Sequence, residues 1–315
     1  MGLSLIFVTG FLVGSFLFSQ SRLPADHEYS PVTHLGIFIS GNADFARCEC
    51  VRSGLGTERE PYIISDWKIN ASGSDGISII GCTAYFVIKK VEIHGDSAHV
   101  GIRLSGVENA KIEESLITDN LVGVYTFTSS NLVLKSNSIS KNQFGVRLEA
   151  SDDNTLESNN FDGNSQIAIF VRGSRNLLKN NRIANGTFGG INIDGTIGSA
   201  TDNLIEANVI TDGSSYGIGM WRAADCILRG NTVSRNLGIG ILLTDASNNN
   251  AVDANNVTEN RGTGILVTHS SSNHLEGNTA KDNGDGVESF DLEDAGADNI
   301  WRNNIYRTKK PDTLT

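Results

Sequence analysis

The sequence predicts an all-β protein, a single-stranded parallel β-helix of about ten to twelve stacked coils. Three observations predict it. A glycine-anchored unit recurs every 22–27 residues, at Gly76, Gly101, Gly123, Gly145, Gly190, Gly217, Gly240, Gly264 and Gly286, with Ala168 in the one substituted place. Asparagines recur at fixed offsets within the same unit. Between them lie apolar runs of three to five residues with period-two alternation, which suit strands and are too short for ordinary helices. Such a period marks a solenoid, in which each repeat buries its apolar face against its neighbours.

The bulk composition narrows the class. In 315 residues there are 34 glycines and only 4 prolines, which excludes collagen and proline-rich disorder. Net charge is −11 and no lysine or arginine run exceeds a pair, so neither nucleic acid nor an acidic lipid surface is an expected partner. The same charge weighs against a polyanionic sugar, except where basic residues gather locally.

Taken in order, residues 1–20 contain the apolar run Leu3 to Phe18, which reads as an export signal or N-terminal membrane anchor. The protein is therefore expected to be periplasmic, cell-surface or secreted, touching a membrane only through this segment. Residues 21–34 read as a linker with Pro24 and Pro31. Residues 35–73 read as a cap and a first irregular coil, with strands expected at 35–39, 62–64 and 67–69 and a turn-rich stretch from Gly54 to Pro61. Such a cap is needed because a bare core end and open strand edges aggregate. Cys48, Cys50 and Cys82 are disulfide candidates: Cys48 with Cys50, or either with Cys82. Cys226 reads as core.

The repeats occupy residues 74–307. Each has a Gly-[Ile/Val]-x-aliphatic strand, such as Gly145-Val-Arg-Leu148, and a strand pair around an asparagine, such as Leu134-Lys-Ser-Asn137-Ser-Ile139. The glycine is expected where φ is positive or where a corner has no room for Cβ. The asparagines tolerate the left-handed region and, stacked coil over coil, form a structural ladder: Asn137, Asn159, Asn181, Asn208, Asn231, Asn255, Asn278 and Asn304. A second set runs through Asn120, Asn142, Asn164, Asn236, Asn260 and Asn283. At about 4.8 Å per coil, ten coils span on the order of 50 Å. The tail, residues 308–315, is a thin cap, and a core end left open there would accept another chain.

These repeats resemble the right-handed parallel β-helix superfamily, which is pectin-lyase-like, and within it the NosD-like repeat proteins of archaea and bacteria. The stretch Gly54-Leu-Gly56-Thr-Glu-Arg-Glu60-Pro-Tyr-Ile-Ile-Ser-Asp-Trp67-Lys-Ile69 is similar to the opening motif of that group, as is Ala84-Tyr-Phe-Val-Ile88. The resemblance covers residues 37–307. It implies the right-handed sense. Carbohydrate lyases, mannuronan epimerases and glycoside hydrolases use this fold, and the copper-maturation protein that names the group is periplasmic. The Asp-Pro-His-Asp motif of the alginate epimerases is absent here, and no histidine cluster matches a copper site.

A site on a β-helix lies where the same outward position repeats in successive coils. One row reads Arg103, Tyr125, Arg147, Phe170, Asn192, Gly219, Leu242, Leu266 and Glu288. A second reads Ser105, Phe127, Glu149, Arg172, Asp194, Trp221, Thr244 and Thr268. Aromatic faces beside charged hydrogen-bonding groups suit sugars. The expected function is an exported scaffold that binds a polysaccharide or a cell-surface protein. The alternative is a polysaccharide lyase, epimerase or glycoside hydrolase with its site on residues 125–222. In that alternative Asp194 and Glu149 are acid or base, and Arg147 and Arg172 hold a uronate. Arg103, Tyr125, Phe170, Asn192 and Trp221 bind substrate. Whether the chain is an enzyme stays open at this point. No cofactor is expected. A calcium ion held by Asp282, Asp285, Asp291 and Asp294 is a metal alternative; Cys48-x-Cys50 also invites a metal, without the further cysteine or histidine ligands in a recognisable pattern that one needs.

Overall fold

The computed structural model describes residues 32–311 and 314. The expected export segment, 1–20, and most of the expected linker, 21–34, lie outside the described residues. Among the described residues no helix is long and apolar enough to cross a membrane.

Three sheets of 11, 12 and 12 strands run along the stack, and each coil contributes one strand to each. One coil shows the plan: Thr155–Glu157, Asn160–Asp162 and the six-residue Ile167–Arg172. Each of these pairs in parallel with its counterpart one coil away. The sheet containing Ile167–Arg172 has the longest strands and is termed the long-strand sheet below. Among the described strands one pairing departs from this rule, Val51–Ser53 lying antiparallel to Tyr62–Ser65.

Alternation turns one residue in two inward. In the long-strand sheet Ile102, Val124, Val146, Ile169, Ile191, Ile218, Ile241 and Ile265 stand in register and are fully buried. β-branched side chains fit such a column because the pleat already restricts χ1. Burial of each is worth about 1.5–3 kcal/mol.

The anchor glycines are required by close approach and not by positive φ. A Cβ on Gly123 would lie 2.6 Å from the Gly145 carbonyl oxygen and 2.7 Å from Ile139 Cγ2. The contact repeats up the stack, and Ala168 keeps its place in it, its carbonyl oxygen lying 2.4 Å from a Cβ on Gly145. Gly286 does not continue the series. Its φ is +73°, and Asp291 takes the anchor place, its carbonyl oxygen 2.5 Å from a Cβ on Gly264. An inserted loop shifts the register, so Glu293, and not Glu288, follows Leu266 in the outward row.

The corners hold the asparagines. Asn159 Oδ1 accepts from both the backbone N–H and Nδ2 of Asn137, each at 3.0 Å. Asn159 Nδ2 donates to Leu134 O at 2.8 Å and to Asn181 Oδ1 at 3.0 Å. The same pattern continues through Asn208, Asn231, Asn255, Asn278 and Asn304. The second set forms two further runs, Asn120–Asn142–Asn164 and Asn236–Asn260–Asn283. A third column was not foreseen: Asn154–Asn176–Asn203 and Asn250–Asn273–Asn299, with Cys226 between the two runs. The left-handed residue at each corner is the one before the asparagine, for example Ser136, Ser158, Asn180 or Asp153. The asparagines themselves therefore do not bend the chain. They pair the polar groups that the bend buries.

Both ends are covered by the chain itself. A 3-10 turn, Asn42–Arg47, not expected from the sequence, inserts the buried Phe45 against Tyr62 (ring centroids 4.8 Å apart) and Phe86 (5.1 Å). The disulfide joins Cys48 to Cys50, and Cys82 is a free, buried thiol whose pKa burial pushes up. The pairings with Cys82 are thus not formed. At the other end Leu314 and Trp301 are buried against the core and Tyr306 packs on it, while Ile300 and Ile305 stay exposed.

Two expectations follow for stability. Gly123→Ala should lower unfolding free energy by about 1–3 kcal/mol through overpacking. Gly73→Ala, where a Cβ meets nothing within 4 Å, should stay within about 0.5 kcal/mol. Asn181→Leu should cost about 1–3 kcal/mol for each buried group it leaves unpaired. Chemical denaturation of the three variants measures both effects.

Candidate functional site

The two outward rows lie on the long-strand sheet, in register from coil to coil. The arrangement of their charges is not the one the sequence suggested. Arg147 Nε donates to Glu149 Oε1 on its own strand at 2.5 Å. Arg172 reaches both carboxylates: Nη1 lies 3.6 Å from Glu149 Oε2, while Nε and Nη2 donate to Asp194 Oδ2 at 3.0 and 2.7 Å. Arg103 donates to Asp75 Oδ2 at 2.5 Å, and its guanidinium stands 5.1 Å from the Tyr125 ring. Phe170 is buried, with the guanidinium groups of Arg147 and Arg172 over its ring at 5.1 and 4.9 Å. It serves as a platform for the two arginines and is itself buried.

Asp194 is the most constrained of these groups. Burial works against its charge. The Thr196 hydroxyl and N–H, donating to Oδ1 at 2.5 and 2.8 Å, and then Arg172, outweigh burial and hold the carboxyl below the ordinary range. A carboxyl held this way is ionised at neutral pH and has no proton to donate as a general acid. Its oxygens are also occupied by donors, which weakens it as a base.

The aromatic part of the site lies beside this ion-pair chain, and the sequence pointed to only one of its members. Trp221 folds back over Gly219, where a Cβ would meet its ring at 2.3 Å. Tyr216 meets Trp221 edge-on, with centroids 5.2 Å apart, and Phe188 meets Tyr216 at 6.0 Å. Burial raises the Tyr216 phenol pKa, and Asn192 Nδ2 donates to its oxygen at 3.3 Å. Asn192 is itself buried, and its Oδ1 has no partner among the described residues. Gly189 and Gly219 give room for these rings, a signal present in the sequence as glycines at positions where other coils carry larger residues. Hollows of about 520 and 650 Å³ open beside the first coils, one lined by Lys68 and His94, the other by Phe38 and Asp75. Neither contains Glu149, Arg172 or Asp194.

The calcium alternative does not fit. Asp291 accepts from Asn283, Arg307 and Thr308, and Asp294 from Gly296, Asn299 and Trp301. Asp285 accepts three backbone N–H groups, which hold its pKa at about 2, and Asp282 pairs with Arg307. These carboxylates close the last coil and leave no convergent oxygen cage.

A family model described as periplasmic copper-binding protein (NosD) matches residues 55–197, 87–257 and 179–313. No curated protein matches the sequence significantly. Among similar solved structures is the A-module of mannuronan C-5 epimerase AlgE4 of Azotobacter vinelandii, with TM-score 0.63, 12% identity, and coverage of 90% of this chain and 91% of that one. The AlgE6 A-module of the same organism gives TM-score 0.58, 14% identity, and coverage of 92% and 93%. The Dettilon tailspike protein gives TM-score 0.50, 16% identity, and coverage of 76% and 61%. At these identities the likeness is one of fold, the right-handed parallel β-helix.

Copper requires convergent thiolate, thioether or imidazole ligands. Among the described residues Met220, Cys82 and Cys226 are buried in the core, Cys48 and Cys50 are bonded to each other, and no group of three or more His, Cys, Asp or Glu is placed to hold a metal. The described residues do not fit a copper site.

Three expectations follow. Arg172→Ala should cost about 1–3 kcal/mol, because it strips the shared cation from two largely buried carboxylates; Thr196→Val should raise the Asp194 pKa, as read by NMR titration. The folded-state pKa of Asp194 lies below the free value of about 3.9. Its contribution to stability is therefore complete above that value and lost as pH falls from about 4 through the folded value. Denaturation midpoints between pH 6 and pH 2 should show this loss, and less of it in Asp194→Asn.

Proposed function

The chain belongs to the NosD family, and on that premise we propose that it is an exported β-helix scaffold that binds carbohydrate on its long-strand sheet. The observation that carries this is the aromatic group of Phe188, Tyr216 and Trp221 placed beside a row of hydrogen-bonding charged residues. Aromatic faces stack on the C–H faces of sugar rings, and fixed polar groups meet the hydroxyls. The solved structures of similar fold include enzymes named for mannuronan and a tailspike protein, which is consistent with a glycan ligand and does not identify one. Binding is favoured over catalysis because Asp194 and Glu149 share one guanidinium and Asp194 is held ionised, with no proton to donate. Export is proposed from the apolar run between Leu3 and Phe18.

Presenting the full chain to a glycan array, followed by product analysis on every bound polysaccharide, tests this. The expected result is binding without change in the glycan. Cleavage or epimerisation that is lost in Asp194→Asn or Glu149→Gln would replace the scaffold with the enzyme alternative. Absence of binding to any glycan would remove carbohydrate from consideration and leave a protein partner. Cell fractionation of the expressed chain tests export separately.

A further inference from the structure

We infer that the ligand of this strip is a neutral glycan with flat, equatorially substituted rings, such as a β-linked glucan or xylan, and not a polyuronate. The inference rests on the strip being a carbohydrate site and specifies what that site selects.

The arginines of the strip are the residues that would recognise a uronate, and each is already neutralised. Arg103 is paired with Asp75, Arg147 with Glu149, and Arg172 with both Glu149 and Asp194. Three cations face three carboxylates, so the strip carries no net charge to offer. The faces of two guanidinium groups are engaged as well, lying over Phe170. A uronate approaching Arg172 would have to displace Asp194, whose side chain is only 11% exposed. That would leave a largely buried carboxylate without its cation, beside the incoming negative charge. Across the whole chain the net charge of −11 repels a polyanion further.

The neutral part of the strip is better prepared. The Trp221 ring lies against Gly219, and the residue is only half-buried, so part of the ring is open to solvent. Phe188 is 56% exposed, and Tyr216 stands edge-on between the two. The Asn192 bond to the Tyr216 hydroxyl fixes the central ring. Thr244 is in register with Trp221 on the next coil, and Thr196 follows Asp194, so hydroxyl groups flank the aromatic shelf. Rings with equatorial hydroxyls present apolar C–H faces to such a shelf, and their stacking requires no countercharge.

Trp221 also provides the readout. Of the three tryptophans, Trp67 and Trp301 are 7% and 5% exposed, so a glycan on the strip should perturb the emission of Trp221. The experiment is fluorescence titration of the full chain with soluble β-glucan and xylan, and with polymannuronate and polygalacturonate, at low and high salt. The expected result is saturable change with a neutral glycan, insensitive to salt, with affinity weakened at least tenfold in Phe188→Ser by fluorescence and in Trp221→Ala, which lacks the reporting ring, by affinity electrophoresis. Phe188→Ser, at an exposed position, keeps the test valid if the tryptophan variant does not fold. Salt-sensitive binding of a polyuronate, lost in Arg172→Gln, would overturn the neutral assignment and leave the carbohydrate site standing. Failure of every glycan, in fluorescence and in affinity electrophoresis alike, would overturn both.

Discussion

The buried amide columns are what the rest of the structure depends on. A chain that turns three corners in each coil and stacks coils about 4.8 Å apart buries backbone N–H and C=O groups at every corner. No ladder partner exists for them within the strands. The asparagine side chain answers this need because it carries a donor and an acceptor on a short stem. Asn159 takes two donors from the coil on one side and gives one to each of two coils. Removing that pairing would leave polar groups in the interior of the stack, where each costs more than a typical hydrogen bond contributes. The apolar column of Ile and Val fills the interior, the backbone ladder sets the coil spacing, and the amides satisfy the polar groups that the corners bury.

The same spacing shapes the outer surface. Outward residues in successive coils are neighbours, so a charged row either repels itself or pairs internally. In this protein it pairs. The Arg147–Glu149–Arg172–Asp194 chain spends its charge on itself and fixes the side chains in place, while Phe170 serves as the floor under two guanidinium groups. What is left open to a ligand is the aromatic shelf beside it. This pairing of acids with arginines is the ground on which we propose a neutral ring as ligand over acid–base chemistry or anion binding.

Much of this was legible in the sequence, and the parts that were not have particular causes. The period, the glycines and the first two asparagine sets could be read because each unit repeats the same demand. The third asparagine column lies five residues before the first, at Asn154, Asn176 and Asn203, and was visible in principle as an N-x4-N spacing. The last anchor was misplaced because a loop inserted before Asp291 carries its own glycine, Gly286, at nearly the repeat interval. Tyr216, Phe188, Thr196 and Asp75 were not picked out because they flank the strand positions on which the outward rows were built.

The sequence by itself determined the solenoid, its three short strands per coil and the rows in which outward residues stand, because periodic patterns of burial and corner chemistry are local and repeated. Only the tertiary structure decided which groups in those rows remain available. Whether Arg172 faces solvent or Asp194 depends on a side chain one coil away, 22 residues distant in the chain. Pairing of charges and stacking of rings are set by distances across the stack, and composition at a position carries no record of them.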